Sequence, residues 1–241
     1  MNKKIIILAL LLTISIANAT NVDVDIKEYL KCGIVSFYYN EKGNLVNFSS
    51  ELFNTGSTAY TARARLDIIE NDTIIFSGWS HEKALMPGNR ANFQIFWYSE
   101  ESGNFTAQLR VYFGNELMLH DKINISINNP TQPENIFNIS NFKTYEDKIT
   151  FDLNTKETSA LVLPYHYPAG WIFEQSEISG NSKATVNYIP ALWTDNNYLT
   201  VLVVSEDGKH YTKGTFKMEK EKGMENIFKI INFLMRLLLQ Y

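Results

Sequence analysis

Four histidines stand at positions 81, 120, 166 and 210 of a 241-residue chain. Imidazole is the commonest side chain for holding a metal or moving a proton near neutral pH. None of the four lies at H-x-H or H-E-x-x-H spacing, so the chain carries no local zinc signature. His120 falls on the polar side of an alternating run, where water accounts for it. Carboxylates are scattered; two from distant segments could meet as a glycosidase pair, but no spacing marks them. No G-x-S-x-G, G-x-G-x-x-G or Walker loop occurs. "TDNN" (194–197) offers oxygens without calcium-loop spacing and reads as a polar turn. The single cysteine, Cys32, has no partner for an internal disulfide and reads as a part-buried thiol at the start of a strand. These residues predict no catalytic group, no metal and no cofactor.

Two other sets of residues can act on a ligand or accept a modification. "PYHYPAGW" (164–171) gathers Tyr165, His166, Tyr167 and Trp171 among two prolines and a glycine. Such rings can stack on sugars or anchor a protein, and they can equally cap the open end of a β-sandwich. In the expected mature chain, N-x-S/T sequons begin at Asn47, Asn71, Asn104, Asn124 and Asn138. Asn47 and Asn124 are expected on outward strand faces, and Asn71 and Asn104 in turns.

The elements that must position these groups begin with a leader. Lys3 and Lys4 precede an apolar run from Ile5 to Ile16, broken only by Thr13 and Ser15, and Ala17-Asn18-Ala19 gives a small-x-small cleavage site. Residues 1–19 are expected to be a signal peptide, which places the mature chain outside the cytoplasmic membrane. The formal charge is −4 and becomes −6 once Lys3 and Lys4 are lost. A mildly acidic body without a basic stripe is a poor match for nucleic acid.

From Ile34 to Ile127 apolar residues recur with period two, as in Ala62, Ala64, Leu66 and Ile68, or Phe105, Ala107, Leu109 and Val111. Turn residues separate the runs at 54–57, 71–72, 87–89, 102–104 and 114–115. The "NTGS" turn is expected to use glycine's access to positive φ. This spacing predicts an antiparallel sandwich of immunoglobulin type over 20–128. "NNPTQPEN" breaks the pattern and marks a stiff linker over 129–135. A second, less regular β-sandwich is expected over 136–219, ending in a hairpin at Asp207-Gly208. The fold class is therefore all-β, with two immunoglobulin-like antiparallel sandwiches in tandem.

Residues 220–241 change character. Glu225, Lys229, Asn232, Arg236 and Gln240 fall on one narrow helical stripe. The remaining surface carries Ile227, Phe228, Ile231, Phe233, Leu234, Leu237 and Leu238. Eighteen residues span about 27 Å as a helix. This amphipathic segment can enter a membrane surface, dock on a partner or another copy, or fold back on its own sandwich.

The stretch from Leu45 to Ile127 resembles the CARDB-like domains of prokaryotic surface proteins. The residues that carry the resemblance are "NTGSTA" (54–59), "LMPGNRANFQIFW" (85–97) and "GNFTAQLRVYFGNE" (103–116). The resemblance implies a seven-stranded sandwich acting as spacer or adhesive module, and it supplies no catalytic residue. The aspartate-rich ending expected after Val111 is missing here, so no metal site is implied. The reading is a non-enzymatic exported protein held at the membrane by its terminal helix and facing a protein or glycan of the cell envelope. The alternatives are a secreted carbohydrate-binding or carbohydrate-active protein using the 164–171 loop, and an envelope assembly subunit that oligomerises through the terminal helix.

Overall fold

The computed structural model describes residues 31–113, 116–128, 136–167, 170–190 and 197–218. The leader (1–19), the linker (129–135) and the terminal helix (220–241) lie outside the described residues. Within them the chain is all-β and every sheet is antiparallel. The first unit comprises β1 (Cys32–Lys42), β2 (Leu45–Asn54), β3 (Tyr60–Glu70), β4 (Thr73–Trp79), β5 (Lys83–Leu85), β6 (Arg90–Tyr98), β7 (Gly103–Phe113) and β8 (Glu116–Ile127). The second comprises β9 (Asn138–Thr144), β10 (Lys148–Asn154), β11 (Ser159–His166), β12 (Ile172–Phe173), β13 (Ser176–Ser179), β14 (Ser182–Ile189), β15 (Tyr198–Ser205) and β16 (Tyr211–Lys217).

In the first unit the sheet β1-β2-β6 faces the sheet β4-β3-β7-β8, with β5 added alongside β3. The period-two residues meet between them: Phe48 and Leu52 from β2, Phe93, Ile95 and Trp97 from β6, Leu66 and Ile68 from β3, Leu109 and Val111 from β7. Trp97 sets its ring edge-on to Phe105 at 5.0 Å. Alternation thus becomes burial because a strand turns every second side chain to one face. In the second unit β12-β14-β10-β9 faces β13-β11-β15-β16 around Ile149, Phe151, Val162, Val186, Val201 and Val203.

Two turns were legible in the sequence, with different physics. Glu70 pairs with Thr73, and Asn71 (φ 48°) and Asp72 (φ 61°) form a two-residue hairpin tip. Positive φ at both central positions matches the right-handed twist of the strands, and Asn and Asp tolerate it. The 54–57 turn works otherwise. Gly56 is not among the glycines with positive φ; Asn54, fully buried, does the work. Its Oδ1 accepts from the Gly56 N–H at 2.9 Å, and its Nδ2 donates to the carbonyls of Thr58 (2.9 Å) and Leu85 (3.1 Å). Its backbone also bonds Gly88 and Asn89. Asn54 therefore ties the crossover from one sheet to the other onto the Pro87-Gly88 turn.

The two units share a third apolar layer. Leu161 and Leu163 on β11, and Leu202 and Val204 on β15, turn away from the second core and pack with Leu45 and Tyr98 of the first unit. Both strands are buried on both faces, so they read as continuous apolar runs rather than alternating ones. At one end of this layer the β15–β16 tip meets the β1–β2 tip: a Cβ on Gly208 would lie 2.1 Å from the Lys42 carbonyl oxygen.

Candidate functional site

The aromatic segment 164–171 is partly strand. Pro164, Tyr165 and His166 belong to β11, paired with β15 across a register slip between Pro164 and His166. β13 has stopped pairing at Val162, so proline's missing N–H is tolerated at this margin of the sheet. Trp171 is 2% exposed and stacks with Phe173 and Tyr188, at 6.1 and 5.5 Å. Tyr167 donates its hydroxyl to the Ser77 carbonyl at 2.7 Å, and burial raises its pKa well beyond the phenol range. Of the two readings open for this segment, ligand contact or capping of the sandwich end, the burial of Trp171 fits capping. Trp171 is buried in the second core, and Tyr167 is partly buried against that core and the edge of β4.

Tyr165 and His166 stay nearer the surface. Tyr165 lies 6.0 Å from Phe76 and 4.3 Å from the His166 ring, with Lys213 Nζ 5.0 Å over its face. Lys213 also pairs with Glu100 at 2.9 Å, joining the units. Partial burial, then the Lys213 charge, lower the His166 pKa, and Glu100 opposes them.

A groove that sequence reasoning did not find runs beside this segment. It has a volume of about 410 Å³ and is lined by Arg63, Arg65, Trp79, Tyr112, Ile172 and Ile189, among others. Arg63 reaches Glu82 at 3.3 Å and Glu174 at 3.4 Å, and His81 Nδ1 lies 2.9 Å from the second Glu174 oxygen. Arg65 lies 5.7 Å over the Trp79 ring, and its Nε bonds Asp67 at 2.7 Å. Asp67 is fully buried and also accepts from the Ser77 hydroxyl at 2.6 Å and pairs with Arg110 at 3.4 Å. Three arginines thus meet three carboxylates in a cluster beside the groove, and the cluster carries little net charge. The alternation Arg63-Arg65-Asp67 along one face of β3 was a visible signal. Glu174, more than a hundred positions away, was not.

Gln175 completes the junction. It is 8% exposed; its Oε1 accepts from the Phe96 N–H at 2.7 Å, and its Nε2 donates to the Phe96 carbonyl at 2.6 Å. The side-chain amide imitates a neighbouring strand and closes the free edge of β6. Trp79 and Glu174 form a parallel backbone bridge beside it.

The sequons are sorted by burial. Asn71, Asn104, Asn124 and Asn138 are exposed. Asn71 sits on its hairpin tip. Asn104 is in β7, paired with Ser126, rather than in a turn. Asn47 faces the junction, where it lines a cavity of about 370 Å³ with Leu45, Phe96, Leu161, Glu177 and Glu206. Cys32 is part-buried, as expected, and burial raises its thiol pKa against hydrogen bonds that lower it. Among the described residues no group of three or more His, Cys, Asp or Glu could hold a metal ion. No described helix is long and apolar enough to cross a membrane. The terminal residues Ile227, Phe228, Ile231, Phe233, Leu234, Leu237 and Leu238 lie outside the described part.

No protein-family model matches the chain, and no curated protein matches it in sequence. Among solved structures it is similar to red sea bream transglutaminase, at 10% identity and a TM-score of 0.28, over 80% of this chain and 32% of that one. It is also similar to the YadV chaperone, at 9% identity and 0.26, over 79% of this chain and 100% of that one. Latent PorU from Porphyromonas gingivalis gives 12% identity and 0.32, over 82% of this chain and 21% of that one. The chain therefore spans about a third of the transglutaminase. Likeness at this level defines no family and no activity.

Proposed function

We propose that this chain is an exported, non-enzymatic surface module in which two immunoglobulin-like sandwiches, the first CARDB-like, act as one rigid spacer. The segment 220–241 attaches it at the outer face of the membrane, and the sandwiches present their surfaces to a protein or glycan of the cell envelope. The observation that carries this reading is the apolar layer of Leu45, Tyr98, Leu161, Leu163, Leu202 and Val204, which removes the freedom two strung modules would have. A spacer needs that stiffness, because load or display over a distance is lost in a flexible joint. The leader-like residues 1–19 and the stripe in 224–241 support export and attachment.

The test is fractionation of the native host expressing the full chain and a chain ending at Met218. The full chain is expected in the membrane fraction, open to protease added outside the cells and lacking residues 1–19. The shortened chain is expected in the medium. A full chain that stays in the cytosol with its leader intact overturns the proposal. Loss of a multimer, with membrane attachment unchanged, favours the assembly-subunit alternative.

A further inference from the structure

The five sequons beyond the leader share one local chemistry but not one environment. Asn71, Asp72 and Thr73 are all exposed on a two-residue tip that projects beyond its sheet. Both tip residues hold positive φ, so the acceptor amide stands clear of strand pairing. An enzyme can therefore take this segment into its cleft without opening the fold. Three residues on, Ile74 is 46% exposed, an apolar side chain left about half open to water. Ile74, Ile75 and Phe76 lead into a cavity of about 320 Å³ shared with Tyr165 and His166. The carbon–hydrogen face of a sugar can cover such a surface while its hydroxyls stay in water.

Asn47 presents the opposite case. It lies in β2, the central strand of its sheet, paired with Asn40 of β1 and Phe96 of β6. Ser49, whose hydroxyl completes the sequon, is 8% exposed. The Asn47 Oδ1 is buried without a hydrogen-bond partner. A sugar added there before folding would fill the space between Leu45, Phe96 and Leu161 and hold the two units apart.

We propose that Asn71 is an N-glycan acceptor of the folded protein, that its glycan covers Ile74, and that Asn47 is excluded from modification. The proposal rests on the export reading. The donor is an oligosaccharide activated as a glycosyl phosphate or pyrophosphate on a lipid carrier. The Asn71 Nδ2 attacks the anomeric carbon and a carbon–nitrogen bond forms. The bond from that carbon to the phosphate oxygen breaks, and the oxygen leaves with the electron pair. The amide gives up one proton, and nothing is oxidised or reduced.

Glycopeptide mass spectrometry of the full chain, recovered from the native host, tests this. The peptide holding Asn71 is expected to carry a saccharide mass. Thr73→Ala, an exposed change, is expected to remove one glycan from the intact mass, and Asn47→Gln to remove none. In dye-binding assays, Thr73→Ala is expected to bind about twofold more of an apolar dye. A bare Asn71, or a saccharide on Asn47, overturns the inference. The N-terminal peptide separates the two failures. A bare Asn71 on a chain without residues 1–19 removes this inference alone, whereas an intact leader removes the export reading with it.

Discussion

Gln175 is one side chain that decides whether a sheet edge is exposed or closed. Buried backbone groups left without partners cost about 1–3 kcal/mol each. Gln175→Leu keeps the volume and strands the Phe96 N–H and carbonyl together, so about 2–6 kcal/mol of stability should disappear in urea unfolding. A loss under 1 kcal/mol would mean that water replaces the amide. His166 carries a second prediction at this scale. Its folded pKa is held below the ordinary 6.5 by burial and by Lys213. The unfolded chain then binds the proton more readily, so stability is highest above about pH 7 and falls as pH drops through 6.5 toward the folded value. Asp207, lowered chiefly by the Ser205 hydroxyl, acts at lower pH. His166→Gln should flatten the melting temperature between pH 7.5 and 5.5. An unchanged slope in that variant would place the titration elsewhere.

At the scale of elements, two turn glycines offer a controlled comparison. Gly88 (φ +74°) has nothing within 4 Å of a built Cβ, whereas Gly208 (φ +71°) would place one 2.1 Å from the Lys42 carbonyl oxygen and 2.9 Å from the Leu45 Cβ. Gly88→Ala should cost only the left-handed strain, about 1–2 kcal/mol. Gly208→Ala carries the same strain and must also push the two tips apart, so it should cost at least about 1 kcal/mol more. Equal losses in denaturant titrations would show that the tips separate freely. The Asp207-Gly208 pair announced its hairpin in the sequence, because turn chemistry is local. What the glycine's bare face meets is not local, and the contact with Lys42 could not be read. The same division holds elsewhere. Period two gave β3, β6 and β7, since one buried face leaves a repeating trace. The unbroken runs of β11 and β15 said that both faces are buried but not against what. β13 went unread, its residues Ser176 to Ser179 having no apolar alternation, and Gln175 looked like any loop glutamine.

For the whole molecule, the central question is whether two cores behave as one. Each of the six buried side chains in the shared layer contributes roughly 1.5–3 kcal/mol by leaving water. Their sum is comparable to the stability of an ordinary domain, about 5–15 kcal/mol. Neither unit should therefore unfold while the other stays native, because the survivor would expose its half of the layer. The full chain is expected to melt in one calorimetric transition, with calorimetric and van't Hoff enthalpies in agreement. Leu202 is the position from which to break this coupling. It is fully buried, yet it belongs to the shared layer and not to the second core, where its neighbours Val201 and Val203 point. Leu202→Asp places an unpaired carboxylate among Leu45, Tyr98 and Leu163 while leaving both cores intact. Such a charge is accommodated only by water, and water enters if the units part. The variant should then show two transitions and a broadened distance distribution between spin labels placed one on each unit. A single transition with a merely lowered midpoint would mean that Gln175, the Trp79–Glu174 bridge and the Lys213–Glu100 pair hold the units together, and the apolar layer would lose its place as the source of the rigidity.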